Sequence, residues 1–140
     1  MRNLVVFAAA AALAGGCAMR KPEPPPKPFI GTKWVVQLEL PIDGEQPYVR
    51  FGDGRMEGFG GCNRIAARVV QDAVGAKAIA IGRIDKGTRA CSASTQEAEA
   101  RTLEVLQSVS SYTIIIDTMT MSGSGGSLKF RSDPPAEIPK

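Results

Sequence analysis

Histidine is absent from all 140 residues of this chain. Without it, Ser/His/Asp and Cys/His catalytic triads and His-ligated metal sites are excluded. A marked excess of one charge is also lacking, because 17 Lys and Arg stand against 14 Asp and Glu, a formal net charge of +3. So small an excess, with no cluster of basic residues, does not favour nucleic acid, and we expect none among the partners.

A long hydrophobic run is missing as well. The apolar stretch from Leu4 to Ala14 is far shorter than the roughly 20 residues that cross a bilayer, and Arg2 before it completes the pattern of a secretory signal. The sequence LAGGC at residues 13–17 resembles the lipobox of bacterial lipoproteins. The resemblance implies that residues 1–16 are a signal peptide and that Cys17 carries the lipid, with fatty acyl chains such as palmitate. The alternative is an ordinary signal peptide cut after Ala18.

Residues 17–28 are rich in proline, with five prolines after Cys17. Such a stretch supports neither a helix nor a sheet and favours extended polyproline II, about 3 Å per residue. We therefore expect a tether that holds a folded domain roughly 30 Å from a membrane surface. Because Ala18 rather than Asp follows the cysteine, the lipoprotein resemblance implies an anchor in the outer membrane, facing the periplasm.

The part expected to fold, residues 29–131, has the size of one domain. Apolar residues alternate with polar ones from Lys33 to Leu40, which predicts a half-buried strand with Trp34, Val36, Leu38 and Leu40 on one face. Short connections with Gly, Pro and Asp favour antiparallel pairing. Further strands are predicted over 48–51, 56–70 (interrupted by glycines), 78–84, 112–116, 119–122 and 128–131.

One segment has helical periodicity instead. Ala98, Thr102, Val105, Leu106 and Val109 form an apolar stripe at helical spacing, and the sequence STQE at 94–97 is typical of a capping box. We predict a helix over about 95–108 with Ser94 as its N-cap. The fold class is therefore mainly β, a curved antiparallel sheet or incomplete barrel capped by one amphipathic helix, followed by a disordered tail over 132–140.

The chain has three cysteines. If Cys17 carries lipid, Cys62 and Cys91 remain, and in an oxidising exported compartment such a pair favours a disulfide that closes a loop of about 30 residues. The alternative is a redox-active or metal-binding pair, but the spacing is not CxxC and two thiols alone rarely hold a metal.

Other candidate chemistry has a simpler interpretation. The glycines of residues 52–61 do not have phosphate-loop spacing and indicate turns or bulges. No serine lies in a GxSxG elbow. We expect no catalytic residues, no cofactor and no metal. Two sets of side chains are weighed and set aside: Asp53, Glu57, Asp72 and Asp85 as loop charges rather than acid–base carboxylates, and Trp34, Tyr48, Phe51, Phe59 and Phe130 as core rather than a carbohydrate site.

Several motifs together resemble the META domain of HslJ-like proteins. They are the sequence GTKW at 31–34, GFGGCNR at 58–64, TRAC at 88–91, the helix over 97–106, and the closing segments 112–121 and 128–130. The resemblance covers residues 31–131. It implies a small, mainly-β domain of exported or lipid-anchored bacterial proteins, and it supplies no catalytic residues.

We therefore expect a non-enzymatic envelope lipoprotein that acts through protein contacts in envelope maintenance or stress tolerance. Its expected partners are the membrane, through the lipid on Cys17, and an envelope protein that the sequence does not identify. The alternative is a module that binds a small apolar ligand in a partly open barrel, or one that inhibits a hydrolase in the periplasm. An enzyme is the third possibility.

Overall fold

The computed structural model describes residues 16–71 and 77–137. Except for Gly16, the expected signal peptide of residues 1–16 lies outside these ranges, as do Asp72 and residues 138–140. No helix in the described ranges has the length and hydropathy needed to cross a membrane.

The described chain is mainly β, as expected, with nine strands and one helix. Four strands come first, followed by two short strands, the helix, and three more strands. In chain order the elements are β1 (Lys33–Val36), β2 (Tyr48–Gly52), β3 (Arg55–Phe59), β4 (Arg64–Gln71), β5 (Ile79–Ile81), β6 (Asp85–Lys86), α1 (Ala93–Ser108), β7 (Val109–Ile115), β8 (Thr118–Gly123) and β9 (Gly126–Asp133).

The strands form an antiparallel sheet in the order β5-β4-β3-β2-β1-β9-β8-β7, with β6 paired to β4. Its two outer strands approach each other, because Ala78 pairs with Ser111 and the Tyr112 N–H donates to the Lys77 carbonyl. The sheet is thus a nearly closed barrel, which confirms the predicted class. Closure also protects the strand edges from pairing with other chains.

Along each strand, every second side chain points into the barrel. In β1 the inward residues are Trp34 and Val36, and α1 packs its Leu106 against the same core beside β5, β8 and β9. The interior is filled by large side chains that are less than 2% exposed: Trp34, Phe51, Phe130, Met56, Leu106, Met119 and Met121.

The strand predicted over 33–40 ends early, at Val36. The Val36 N–H donates to the carbonyl of Pro47, which as a proline has no N–H to continue the ladder. Leu40, predicted to point inward, is instead 83% exposed. The alternation in the sequence therefore continues past the point where β1 can pair with β2.

The glycine-interrupted segment predicted over 56–70 divides into β3 and β4 at the turn of residues 60–63. The Gly60 N–H donates to the Asn63 carbonyl across this turn, at 2.8 Å. The strand predicted over 78–84 likewise keeps only three residues as β5, and β6 follows separately.

The predicted N-cap of the helix is wrong by two residues. Ser92 rather than Ser94 is the N-cap, because its Oγ accepts the Thr95 N–H at 3.4 Å. Glu97 is exposed, and Gln96 is the side chain that reaches back, to the Cys91 carbonyl at 2.8 Å. The capping-box interpretation of residues 94–97 thus fails because a serine earlier in the chain takes the cap position.

Both ends of the domain form backbone hydrogen bonds with the turn between β7 and β8. The Lys27 N–H donates to the Ile116 carbonyl, and Phe29 stacks on Phe51 and Tyr112 with ring centroids 4.3 and 4.5 Å apart. At the other end β9 runs two residues into the segment expected to be a tail, because Ser132 is buried and its N–H donates to the Asp117 carbonyl.

Candidate functional site

Cys62 and Cys91 form a disulfide, as expected, with their Cα atoms 5.9 Å apart. Cys62 lies in the β3–β4 turn, where it is 2% exposed, and Cys91 directly precedes the N-cap of α1. The bond therefore ties the turn to the start of the helix.

A buried carboxylate lies beside this disulfide. Glu99 of α1 is 2% exposed, and its Oε2 accepts the backbone N–H groups of Cys62 at 2.9 Å and Asn63 at 2.6 Å. Its Oε1 accepts the Asn63 Nδ2 at 2.9 Å and lies 3.6 Å from the Lys86 Nζ. The Asn63 Oδ1 in turn accepts the Arg89 N–H at 2.6 Å. These residues form a Glu99 cluster that joins helix, turn and loop.

Burial disfavours the charged form of Glu99 and raises its pKa. The hydrogen bonds from the Asn63 side chain and backbone and from the Cys62 backbone, together with the charge of Lys86, outweigh burial and hold the pKa of Glu99 below its ordinary value. The carboxylate is therefore ionised at neutral pH. Because the chain's own donors surround it, its local effect is to hold the turn against the helix.

Gly60 makes room for this carboxylate. A Cβ at residue 60 would lie 2.7 Å from the Glu99 Oε2, so another residue there would displace the carboxylate. Sequence reasoning missed the cluster. The available signal was an acidic residue in the buried stripe of the helix, since Thr95, Glu99, Thr102 and Leu106 share one face.

A second feature, which we call the outer cleft, lies on the outside of β2, β3, β4 and β6. It is an open depression of about 500 Å³. Four residues follow one another across the strands at its floor and sides, Arg50 opposite Glu57, Glu57 opposite Ala66, and Ala66 opposite Asp85. The full lining is Tyr48, Arg50, Glu57, Gly58, Arg64, Ile65, Ala66, Asp85 and Lys86.

The structure separates the candidate carboxylates. Glu57 and Asp85, which the sequence placed on unrelated segments, both line the outer cleft. Asp53 lies in the β2–β3 turn, and Asp72 lies outside the described residues. Across residues 16–71 and 77–137, no three acidic or cysteine side chains gather into a group that could hold a metal ion.

The aromatic residues divide into two groups. Trp34, Phe51 and Phe130 fill the core, as expected. Tyr48 and Phe59 correct the expectation, because they lie half-buried on the outer face as a cross-strand pair with centroids 6.4 Å apart. They point outward because strand alternation places Val49 inside and Tyr48 outside.

The remaining predicted positions are simple to locate. Among the glycines of residues 52–61, Gly54, Gly60 and Gly61 lie in turns, as expected, whereas Gly52 ends β2 and Gly58 lies within β3. Cys17 is exposed and forms no disulfide. Its lipidation stays a prediction.

Comparisons with known proteins agree with this architecture. The META domain family matches residues 28–134. A solved NMR structure of a protein from Burkholderia xenovorans is 17% identical and has a TM-score of 0.61, covering 81% of this chain and 93% of that one. A second NMR structure is 14% identical with a TM-score of 0.57, covering 71% and 87% of the two chains.

At such identities the two solved structures establish the shared fold alone. A search of curated proteins found no match. The family match spans most of the chain and includes all the strands and the helix that the structure describes. The chain therefore belongs to the META domain family.

Proposed function

We propose that this protein is a lipid-anchored protein of the cell envelope whose META domain acts by binding an envelope component on the outside of its barrel, rather than by catalysis. The role is envelope maintenance or stress tolerance. The observation that carries the proposal is the contrast between a filled barrel interior and an open, charged outer cleft.

The filled interior supports surface binding over a ligand held inside. Trp34, Phe51 and Phe130 belong to the hydrophobic core of the barrel, with 0–1% of their surfaces exposed. Close-packed interiors of this kind leave few voids larger than a water molecule. The alternative of an apolar ligand within the barrel thus receives no support from the packing.

Glu99, the buried carboxylate beside the disulfide, does not suit the role of a general base. A general base needs a free acceptor and a pKa near the operating pH, whereas hydrogen bonds lower the pKa of Glu99 and occupy both of its oxygens.

The anchor is supported by the lipobox-like sequence before Cys17 and by the proline-rich residues 17–28. In the described part of this segment, residues 16–28 form neither helix nor strand. A chain without regular structure between lipid and domain lets the domain reach a component away from the membrane.

The anchor is tested by intact mass spectrometry of the protein purified from membranes of the producing cell. We expect a mature N-terminus at Cys17 with two or three acyl chains, and Cys17→Ala to abolish acylation and membrane association. An unmodified Cys17, or cleavage elsewhere, contradicts the anchor.

The binding role is tested by a photo-crosslinking amino acid placed at Glu57 in the outer cleft, with Thr113 as the matched control. Thr113 is exposed on β7, away from the cleft. We expect adducts of a defined mass from Glu57 in intact cells and none from Thr113. Equal labelling from the two positions contradicts a role for the outer cleft.

A further inference from the structure

We propose that the outer cleft binds an acidic saccharide, a sugar unit that carries a carboxylate or phosphate group. The inference rests on the proposed function, since it names the class of envelope component that the cleft would bind. Three properties of the cleft point to this ligand: its shape, its uncompensated charges and its aromatic side.

The shape comes from one small side chain among large ones. Ala66 points outward between Glu57 and Asp85, its cross-strand neighbours, so the floor of the cleft lies at a methyl group and its sides are charged. The volume of about 500 Å³ lies in the range of small-molecule sites. The polar lining suits a ligand rich in hydroxyl groups better than an apolar one.

Several charges around the cleft are already compensated. Lys33 contacts Glu45 at 3.6 Å and Asp133 at 3.5 Å, and Glu57 contacts the Arg55 guanidinium at 3.2 Å. Lys86 turns to Glu99, 3.6 Å away.

Arg50 and Arg64 differ from these residues, because neither forms an ion pair within the described parts of the chain. Arg50 also lies directly opposite Lys33, an arrangement of like charges that destabilises a sheet. Two guanidinium groups facing one cleft suit an anion, because each can donate two parallel hydrogen bonds to a carboxylate or phosphate.

The aromatic side distinguishes a saccharide from a simple ion. Tyr48 and Phe59 are half-buried next to Arg64, which lies opposite Phe59 on β4. The Lys33 Nζ lies 4.4 Å from the centre of the Tyr48 ring and helps to hold the ring in place. Of this pair Tyr48 lines the cleft, so the apolar face of a sugar ring can pack on its ring. Asp85 forms no ion pair in the described residues and can accept a hydrogen bond from a hydroxyl group.

The test compares two disaccharides that differ in one acidic group. Calorimetric titration of the full acylated protein in detergent uses N-acetylglucosaminyl-N-acetylmuramic acid, which carries a carboxylate, and neutral N,N′-diacetylchitobiose. We expect the acidic disaccharide to bind at least about tenfold more tightly, as loss of a charge-assisted contact predicts, and to weaken as salt is raised. The proposal is overturned if the two disaccharides bind with equal affinity. It is also overturned if neither the acidic disaccharide nor the phosphorylated glycolipid described below binds.

Three variants locate the site. Ala66→Trp fills the cleft from an outward position and should abolish binding, whereas Thr113→Trp on the exposed side of β7 should leave it unchanged. Arg64→Lys keeps the charge but loses the planar fork, so it should weaken binding about tenfold. Circular dichroism checks that each variant is folded. Unchanged binding by folded Ala66→Trp overturns the assignment to this cleft.

An acidic saccharide can be part of a glycan strand or of a lipid headgroup. Flotation of the unacylated Cys17→Ser protein with vesicles that contain a phosphorylated glycolipid separates these sources, with phosphatidylglycerol vesicles as the charge-matched control. A lipid headgroup is supported if the protein binds only the glycolipid vesicles and Ala66→Trp abolishes that binding. A glycan strand is supported if the protein binds only the disaccharide. Equal binding to both kinds of vesicle overturns the proposal.

If Cys17 is acylated and Glu57 gives adducts while no acidic saccharide binds, this inference fails and the proposed function stands.

Discussion

Glu99 shows how one side chain can determine the conformation of a turn far away in sequence. It lies 37 residues from Cys62 and 36 from Asn63, yet it accepts both of their backbone N–H groups. A buried backbone N–H without a partner costs about 1–3 kcal/mol. The carboxylate therefore stabilises a turn that would otherwise leave two donors unsatisfied.

We predict that Glu99→Gln lowers the free energy of unfolding by about 2–3 kcal/mol at pH 7, because the amide loses the negative charge and turns a donor toward one of its present donors. Urea denaturation measures the change. Glu97→Gln is the matched control on the same helix, and since Glu97 is exposed it should change stability by no more than about 0.5 kcal/mol. Equal effects of the two substitutions would contradict the structural role of Glu99.

Among the elements, the β3–β4 turn and the start of α1 are joined twice, by the disulfide and by the Glu99 cluster. The two cysteines are 29 residues apart, and the loop between them includes β4, β5 and β6. Crosslinking such a loop restricts the unfolded chain more than the folded one. The disulfide thus stabilises the folded domain as a whole.

We predict that replacing Cys62 and Cys91 together by serine lowers the free energy of unfolding by about 3–4 kcal/mol, the chain-entropy value for a loop of this length. Thermal or urea unfolding measures it, and Cys17→Ser serves as the control because Cys17 is exposed and outside the loop. Thiol titration of the denatured, unreduced protein should detect neither Cys62 nor Cys91. A reactive thiol at either position is the contrary result.

The junction between the proline-rich segment and the barrel depends on one aromatic residue. Phe29 stacks on Phe51 and Tyr112, and its carbonyl accepts the Trp34 Nε1 at 3.3 Å. The segment before it is thereby fixed to the barrel at its last residues.

We predict that Phe29→Ala destabilises the domain by about 2–4 kcal/mol, since it removes two ring contacts and leaves a space beside the core. Differential scanning calorimetry measures the lower Tm. Phe29→Leu keeps much of the volume and should lose less than half as much stability. A Tm that is unchanged in Phe29→Ala would show that the stack contributes nothing.

At the scale of the whole molecule, stability depends on pH through acidic groups whose pKa values are lowered in the folded protein. The pKa of Glu99 is lowered by its hydrogen bonds and Lys86 in spite of burial. The pKa of Asp117 is also lowered, where desolvation is outweighed by the Ala136 N–H, Arg131 and Thr118. A carboxyl whose folded pKa is depressed stabilises the fold at pH values above its ordinary pKa, and this contribution is lost as the pH falls through the folded value.

We predict that the free energy of unfolding is constant near neutral pH and falls as the pH drops below about 4.5, the ordinary value for Glu. Urea denaturation between pH 7 and pH 3 measures the slope. Glu99→Gln should show a shallower fall, because one of the groups that bind a proton on unfolding is gone. Parallel curves for the two proteins would remove Glu99 from the acid response.

Much of the architecture follows from local pattern. Alternation in residues 33–36 and 48–51 predicts half-buried strands, and the stripe of Val105 and Leu106 predicts the helix. Boundaries were less accurate, since β1 ends where its pairing with β2 ends and the helix starts at whichever serine reaches the first free N–H. Those details depend on neighbours in space rather than on the segment itself.

The sequence by itself determined the mainly-β class and the helix, because both depend on residue type and spacing. It predicted the pairing of Cys62 with Cys91 only on the condition that Cys17 carries lipid, and the structure established that pairing. Tertiary structure decided two other things. It placed Glu99 against a turn more than 30 residues away, and it brought Arg50, Glu57, Arg64 and Asp85 from four strands to one cleft. Both depend on strand register and on closure of the sheet, which arise from long-range contacts that no local pattern encodes.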